Sequence, residues 1–87
     1  MQFYGVLYIH GDNPEQSDIL GLFKDFEKAV DELVERANYR ENADGQLTQY
    51  FQVTQEYDSL EALKSRVRKT LRLVDVDTYR IIPVRVL

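Results

Sequence analysis

The chain has 87 residues, of which 44% are hydrophobic, 30% charged and 11% aromatic, with eleven Lys/Arg against fifteen Asp/Glu and no cysteine. So few residues fit one α+β domain spanning 1–87, and zero Cys excludes disulfide staples, thiolate metal sites and cysteine nucleophiles. The longest nearly uninterrupted apolar run, Phe3 to Ile9, is seven residues long, against about 20 needed to cross a bilayer, so no membrane association is expected.

Met1-Gln2 leads straight into that run with no basic n-region or small-residue cleavage site, which sets the expectation of an intracellular, cytoplasmic protein. The run itself (FYGVLYI) is rich in aromatic and β-branched residues and ends at His10-Gly11-Asp12-Asn13-Pro14, which breaks regular structure. It predicts a strand and then a loop. Asp18 to Phe23 (DILGLF) predicts a second strand, paired antiparallel with the first.

From Phe26, apolar side chains recur at Ala29, Val30, Leu33, Val34 and Ala37, one stripe of an α-helix. Asp25 stands where an N-cap belongs, and the helix should stop near Tyr39 to Glu41, before the Asp44-Gly45 turn signal. Leu47 to Tyr57 alternates well enough to predict one strand with a drier and a wetter face. A second helix is predicted from Asp58-Ser59-Leu60-Glu61, with Leu60, Leu63, Val67 and Leu71 as its inward stripe. Residues 72–77 fit helix, strand or loop equally. Tyr79 to Val86 predicts a final strand, whose Pro83 cannot donate to a ladder and belongs at an edge or bulge.

The order β-β-α-β-α-β predicts an α+β two-layer sandwich: a four-stranded, mainly antiparallel sheet with both helices on one face. Crossovers between any parallel strands would be right-handed. Leu33, at the centre of the first helix's stripe, is expected to face the Leu7/Ile9 side of the first strand.

No catalytic constellation assembles from this sequence, and no cofactor or metal is expected. His10 is the single histidine, and Ser17, Ser59 and Ser65 lie outside any nucleophile-elbow context. The loop from His10 to Asp18 carries three carboxylates but lacks calcium-loop spacing. Gly5, Gly11, Gly21 and Gly45 are isolated, so no phosphate-cradling pattern exists. The chain reads as a non-enzyme.

Two surface features remain. Residues 1–58 hold twelve acids and four bases, whereas residues 59–87 hold three acids and seven bases. Lys64, Arg66, Arg68, Lys69 and Arg72 crowd the second helix, which suggests nucleic-acid contact. Ordinary matching against the acidic first helix (Asp25, Glu27, Asp31, Glu32, Glu35) explains the same residues, and a pI near 4.9 favours that matching.

The second feature is apolarity on both sides of the strands. Phe3, Leu7 and Ile9 alternate with Tyr4, Val6 and Tyr8, and Ile19 and Phe23 alternate with Leu20 and Leu22. Two helices cover only one sheet face, so the other is too apolar to stay in water. The expected contact set is Tyr4, Val6, Tyr8, Leu20 and Leu22, because amphipathic tyrosines tolerate being wet before binding and dry after. A homodimer, a partner or ligand, or the long loops would cover it.

Leu20-Gly21-x-Phe23, followed by a helix bearing Glu27-Lys28-Ala29, resembles small uncharacterised α+β proteins of bacteriophages and large DNA viruses. The closing Tyr79-Arg80-Ile81-Ile82-Pro83-Val84 is similar to theirs as well. The resemblance implies a viral accessory protein that binds a host protein, and brings no catalytic residues.

Overall fold

The computed structural model describes residues 2–10, 17–74 and 78–85. In chain order they form β1 (Gln2–Ile9), β2 (Ser17–Phe23), α1 (Phe26–Arg36), β3 (Tyr39–Glu41), β4 (Leu47–Gln49), β5 (Gln52–Val53), α2 (Leu60–Thr70), β6 (Arg72–Val74) and β7 (Thr78–Arg85). The chain is α+β. A four-stranded sheet runs β2-β1-β7-β6, and a second sheet runs β3-β4-β5. Every pairing is antiparallel, so no right-handed parallel crossover arises.

Both helices begin where side chains satisfy their first free N–H groups. The Glu27 N–H donates to Asp25 Oδ1 at 2.9 Å, so Asp25 caps α1 as its sequence position predicts. On α2 the cap is Ser59, whose Oγ accepts from the Ala62 N–H at 3.0 Å, one residue later than a capping box from Asp58 would place it. α1 stops at Arg36, because Asn38 turns left-handed with φ of 67°, as Asn does just past a helix end. Tyr39–Glu41, the expected stopping point of the helix, are strand β3.

The segment Leu47 to Tyr57 is not one strand. Tyr50 and Phe51 adopt φ of 52° and 68°, which reverses the chain between β4 and β5. A two-residue hairpin loop with positive φ at both positions normally takes Asn-Gly, since a Cβ is strained there. Tyr50 and Phe51 are also 62% and 89% exposed. The loop thus holds two aromatic side chains in water on an unfavourable backbone. The Asp44-Gly45 turn forms as expected: Gly45 has φ of 78°, and Asn42 Oδ1 accepts from the Asp44 and Gln46 N–H groups.

Leu71 also turns left-handed, with φ of 58°, and ends α2. Its side chain is exposed, so Leu63 and Val67 alone carry the buried part of the predicted stripe. Pro83 opposes Tyr4 of β1, past the point where β6 stops pairing with β7, so its missing N–H lies in a stretch with one unpaired flank.

One hydrophobic cluster joins Ala29, Val30, Leu33 and Val34 of α1, Leu63 and Val67 of α2, Tyr39 and Leu47 of the small sheet, and Val6, Leu73 and Ile81 of the large one. The side of β1 that meets the helices is therefore the Val6 side. Tyr4 stacks on Phe26 and Tyr8 on Tyr79, with ring centroids 5.2 Å apart in each pair. The expectation that Leu33 faces Leu7 and Ile9 had the strand rotated by one residue.

Leu33 is fully buried while Glu32 is half-buried and paired with Arg36 at 2.7 Å. Leu33→Ala should cost about 2–5 kcal/mol in a denaturant melt, and Glu32→Ala less than about 0.5 kcal/mol. At the hairpin, replacing Tyr50 by Asn together with Phe51 by Gly should raise stability by about 1–2 kcal/mol, because the strain disappears. An unchanged or lower melting temperature would argue against strain at that turn.

Candidate functional site

With Val6, Leu73 and Ile81 beneath the helices, alternation puts Phe3, Leu7 and Ile9 of β1, Ile82 and Val84 of β7, and Val74 of β6 on the other face. On β2 a bulge lies opposite the Val6/Leu7 step, where Gly21 pairs with Val6 but Ile19 pairs with Leu7. The extra residue, Leu20, packs against the core, and Ile19 and Leu22 both turn outward. They are 69% and 57% exposed, and Val74 is 56% exposed.

Gly5 sits at the middle of this open face. A Cβ there would stand 3.3 Å from Ile82 Cγ1, 3.4 Å from Val84 Cγ2 and 3.5 Å from Leu22 Cδ2. Side chains from β2 and β7, the two strands flanking β1, thus close over the glycine into one aliphatic patch. Fully burying a Leu or Ile side chain is worth about 1.5–3 kcal/mol, and more than half of that surface is still wet at Ile19 and Leu22.

Of the five residues expected on this face, Leu22 alone is there. Tyr4, Val6, Tyr8 and Leu20 are on the helix side, with Val6 fully buried. Both parities of β1 are apolar, so alternation by itself does not orient the strand. The usable signal was Gly5: a residue without a side chain contributes nothing to a core, but on the open face its neighbours close over it. Gly21 has a different role. A Cβ there would come within 2.8 Å of the Phe23 ring, which packs against the core two residues on.

The basic residues of α2 divide into two groups. Lys64 Nζ meets Asp31 Oδ1 at 3.0 Å, and Arg68 binds Glu27 at 2.9 Å and Glu61 at 2.8 Å. Hydrogen bonds to Glu27 and then Glu61 hold the Arg68 guanidinium charged and push its pKa up. These two bases tie α2 to the acidic α1. Arg66, Lys69 and Arg72 are exposed and form no ion pair among the described residues. The large sheet adds Arg80, which stands directly opposite Arg72 across β6 and β7 and forms no ion pair among the described residues; just past β2, Lys24 lies 5.8 Å from the centre of the Phe3 ring.

The rest of the molecule offers little chemistry. His10 Nε2 lies 3.1 Å from Asp18 Oδ2, with its imidazole edge-on to Tyr8. Ser59 is occupied in capping α2. Gly11 to Gln16, most of the acidic loop considered as a cation site, lie outside the described residues, as do Asp75 to Asp77 and Val86. Among the described residues, no cluster of three or more His, Cys, Asp or Glu is placed to hold a metal ion, and no buried side-chain polar atom lacks a partner. No described helix is long and apolar enough to cross a membrane.

No family model matches this chain, and neither a curated protein nor a solved structure matches it.

The open face should bind a solvatochromic hydrophobic dye. Ile19→Glu with Leu22→Glu should cut the dye fluorescence severalfold while leaving the melting temperature nearly unchanged, since both side chains are already mostly exposed. Undiminished fluorescence would place the dye elsewhere.

Proposed function

We propose that the chain is a non-enzymatic protein-interaction module that buries the open face of its large sheet against a partner protein. The carrying observation is the aliphatic patch over Gly5, formed by Leu22, Ile82 and Val84 and flanked by the exposed Ile19. An antiparallel sheet face in permanent contact with water normally alternates to polar residues, whereas β1 and β2 put Phe3, Leu7, Ile9, Ile19 and Leu22 on this one. The resemblance to phage and viral accessory proteins fits the same reading, with an intracellular host protein as the partner.

Nucleic-acid binding along α2 is the competing proposal. It is weakened because Lys64 and Arg68 already spend their charge on α1, leaving Arg66, Lys69 and Arg72. Among the described residues Phe3 is also the one aromatic side chain that alternation puts on the open face, and base stacking needs aromatic platforms.

The test is affinity capture with the immobilised chain, wild type against the Ile19→Glu/Leu22→Glu variant, with hydrogen exchange on the isolated complex. A protein retained by the wild type, lost from the variant and protecting β1, β2 and β7 amides supports the reading. Light scattering in parallel reports whether a second copy takes the face. Identical capture by both forms, together with a strict monomer, overturns the proposal.

A further inference from the structure

Resting on the open-face reading, the geometry points to a carboxylate-recognition site at Arg72 and Arg80, so that we infer the partner surface to be an apolar polypeptide segment carrying acidic side chains. The two residues are direct cross-strand neighbours on β6 and β7. Leu73 and Ile81, the residues that follow them, are buried beneath the helices, so both guanidinium stems leave the sheet on its open face. Like charges placed directly opposite destabilise a sheet. Neither arginine forms an ion pair among the described residues, and nothing there offsets the repulsion.

The surroundings give the site its chemical character. In the row across the sheet, Arg80 is also the partner of Leu7 on β1, and Leu7 is the partner of Ile19 on β2. One row thus runs from two cations into two aliphatic side chains. On the other flank, Arg72 and Arg66 share a groove of about 260 Å³ with Tyr57, Leu73 and Val74. The four described strands of the large sheet contain one acid, Asp18, which opposes Tyr8 on the helix side. The acids of this net-negative chain are therefore concentrated away from the open face among the described residues.

That distribution selects the occupant. A second copy docking face to face would bring arginines and aliphatics but, among the described residues, no carboxylate from its own open face. A nucleic acid would need a run of cations and stacking rings, whereas here two arginines adjoin aliphatic side chains. An acidic, apolar polypeptide segment satisfies both halves: its carboxylate accepts from two guanidinium forks and removes their repulsion, and its apolar side chains cover Leu7, Ile19 and Leu22.

The probes are a synthetic peptide of alternating leucine and glutamate, the same peptide with glutamine for glutamate, and single-stranded oligothymidine. Binding is followed by fluorescence anisotropy and amide chemical shifts. The glutamate peptide should bind and shift Leu7, Arg72 and Arg80 amides, and the Arg72→Gln/Arg80→Gln variant should lose about tenfold or more in affinity for it. The glutamine peptide should bind wild type and variant alike. In the free protein, Arg80→Gln should raise the melting temperature at low ionic strength, and added salt should erase the gain. Equal affinity for the two peptides, lost only in the Ile19→Glu/Leu22→Glu variant, overturns the carboxylate site and leaves the open-face reading standing. Tighter binding of oligothymidine that depends on the same arginines overturns the choice of a polypeptide. Absence of binding by either peptide overturns the inference as well.

Discussion

Two helices of eleven residues each share one hydrophobic cluster with a sheet of four strands whose central members are apolar on both sides. Only one side can be dried by those helices, and the choice is made at Val6, Ile81 and Leu73, which enter the same cluster as Leu33 and Leu63. Once Val6 is under α1, the pleat leaves no freedom for its neighbours: Phe3, Leu7 and Ile9 must point the other way. The bulge in β2 follows from the same demand. By inserting Leu20 it gives the core one more apolar side chain and sends both Ile19 and Leu22 outward. A single burial decision thus builds the core and exposes the patch.

Electrostatics sorts along the same division. Between the helices, opposite charges are brought within 2.9 to 3.0 Å in the Arg68–Glu27 and Lys64–Asp31 contacts. Such partly exposed pairs contribute little to stability individually. Their larger effect is to match Glu27 and Asp31 of the acidic helix with bases from α2. The described strands of the large sheet hold one acid, Asp18, and Arg72 and Arg80 form no ion pair among the described residues. A chain that is acidic in total presents a basic, greasy face.

Much of this was legible in the sequence. The two helix stripes, the Asp25 cap, the Asp44-Gly45 turn and the first two strands are signalled by local patterns that the packing leaves intact. Excess apolarity on one sheet face was legible too, but its side was not. A strand hydrophobic on both parities carries no phase, and phase is what alternation reads. The β4–β5 hairpin was hidden for the opposite reason: Tyr50-Phe51 is what a strand interior looks like, and no Gly or Asn marks the reversal there. Strand β6 is three residues long, too short for any period to register, and its pairing with β7 comes from tertiary contact alone.

The pairing of β1 with β7 also bears on how the molecule comes to fold. Gln2 is matched with Arg85 and Ile9 with Thr78, so the central ladder of the sheet joins segments nearly the whole described sequence apart. Such a ladder cannot nucleate locally, because the entropy of closing a long loop is lost before the first pairing contributes anything. During synthesis, β1, β2 and both helices emerge well before the strand that completes their core. Until β7 docks, Val6 has no Ile81 beside it, and an apolar strand edge stays unpaired. The interval is one in which a chaperone or a neighbouring strand competes for β1, and the speed with which β7 arrives sets how long that competition lasts.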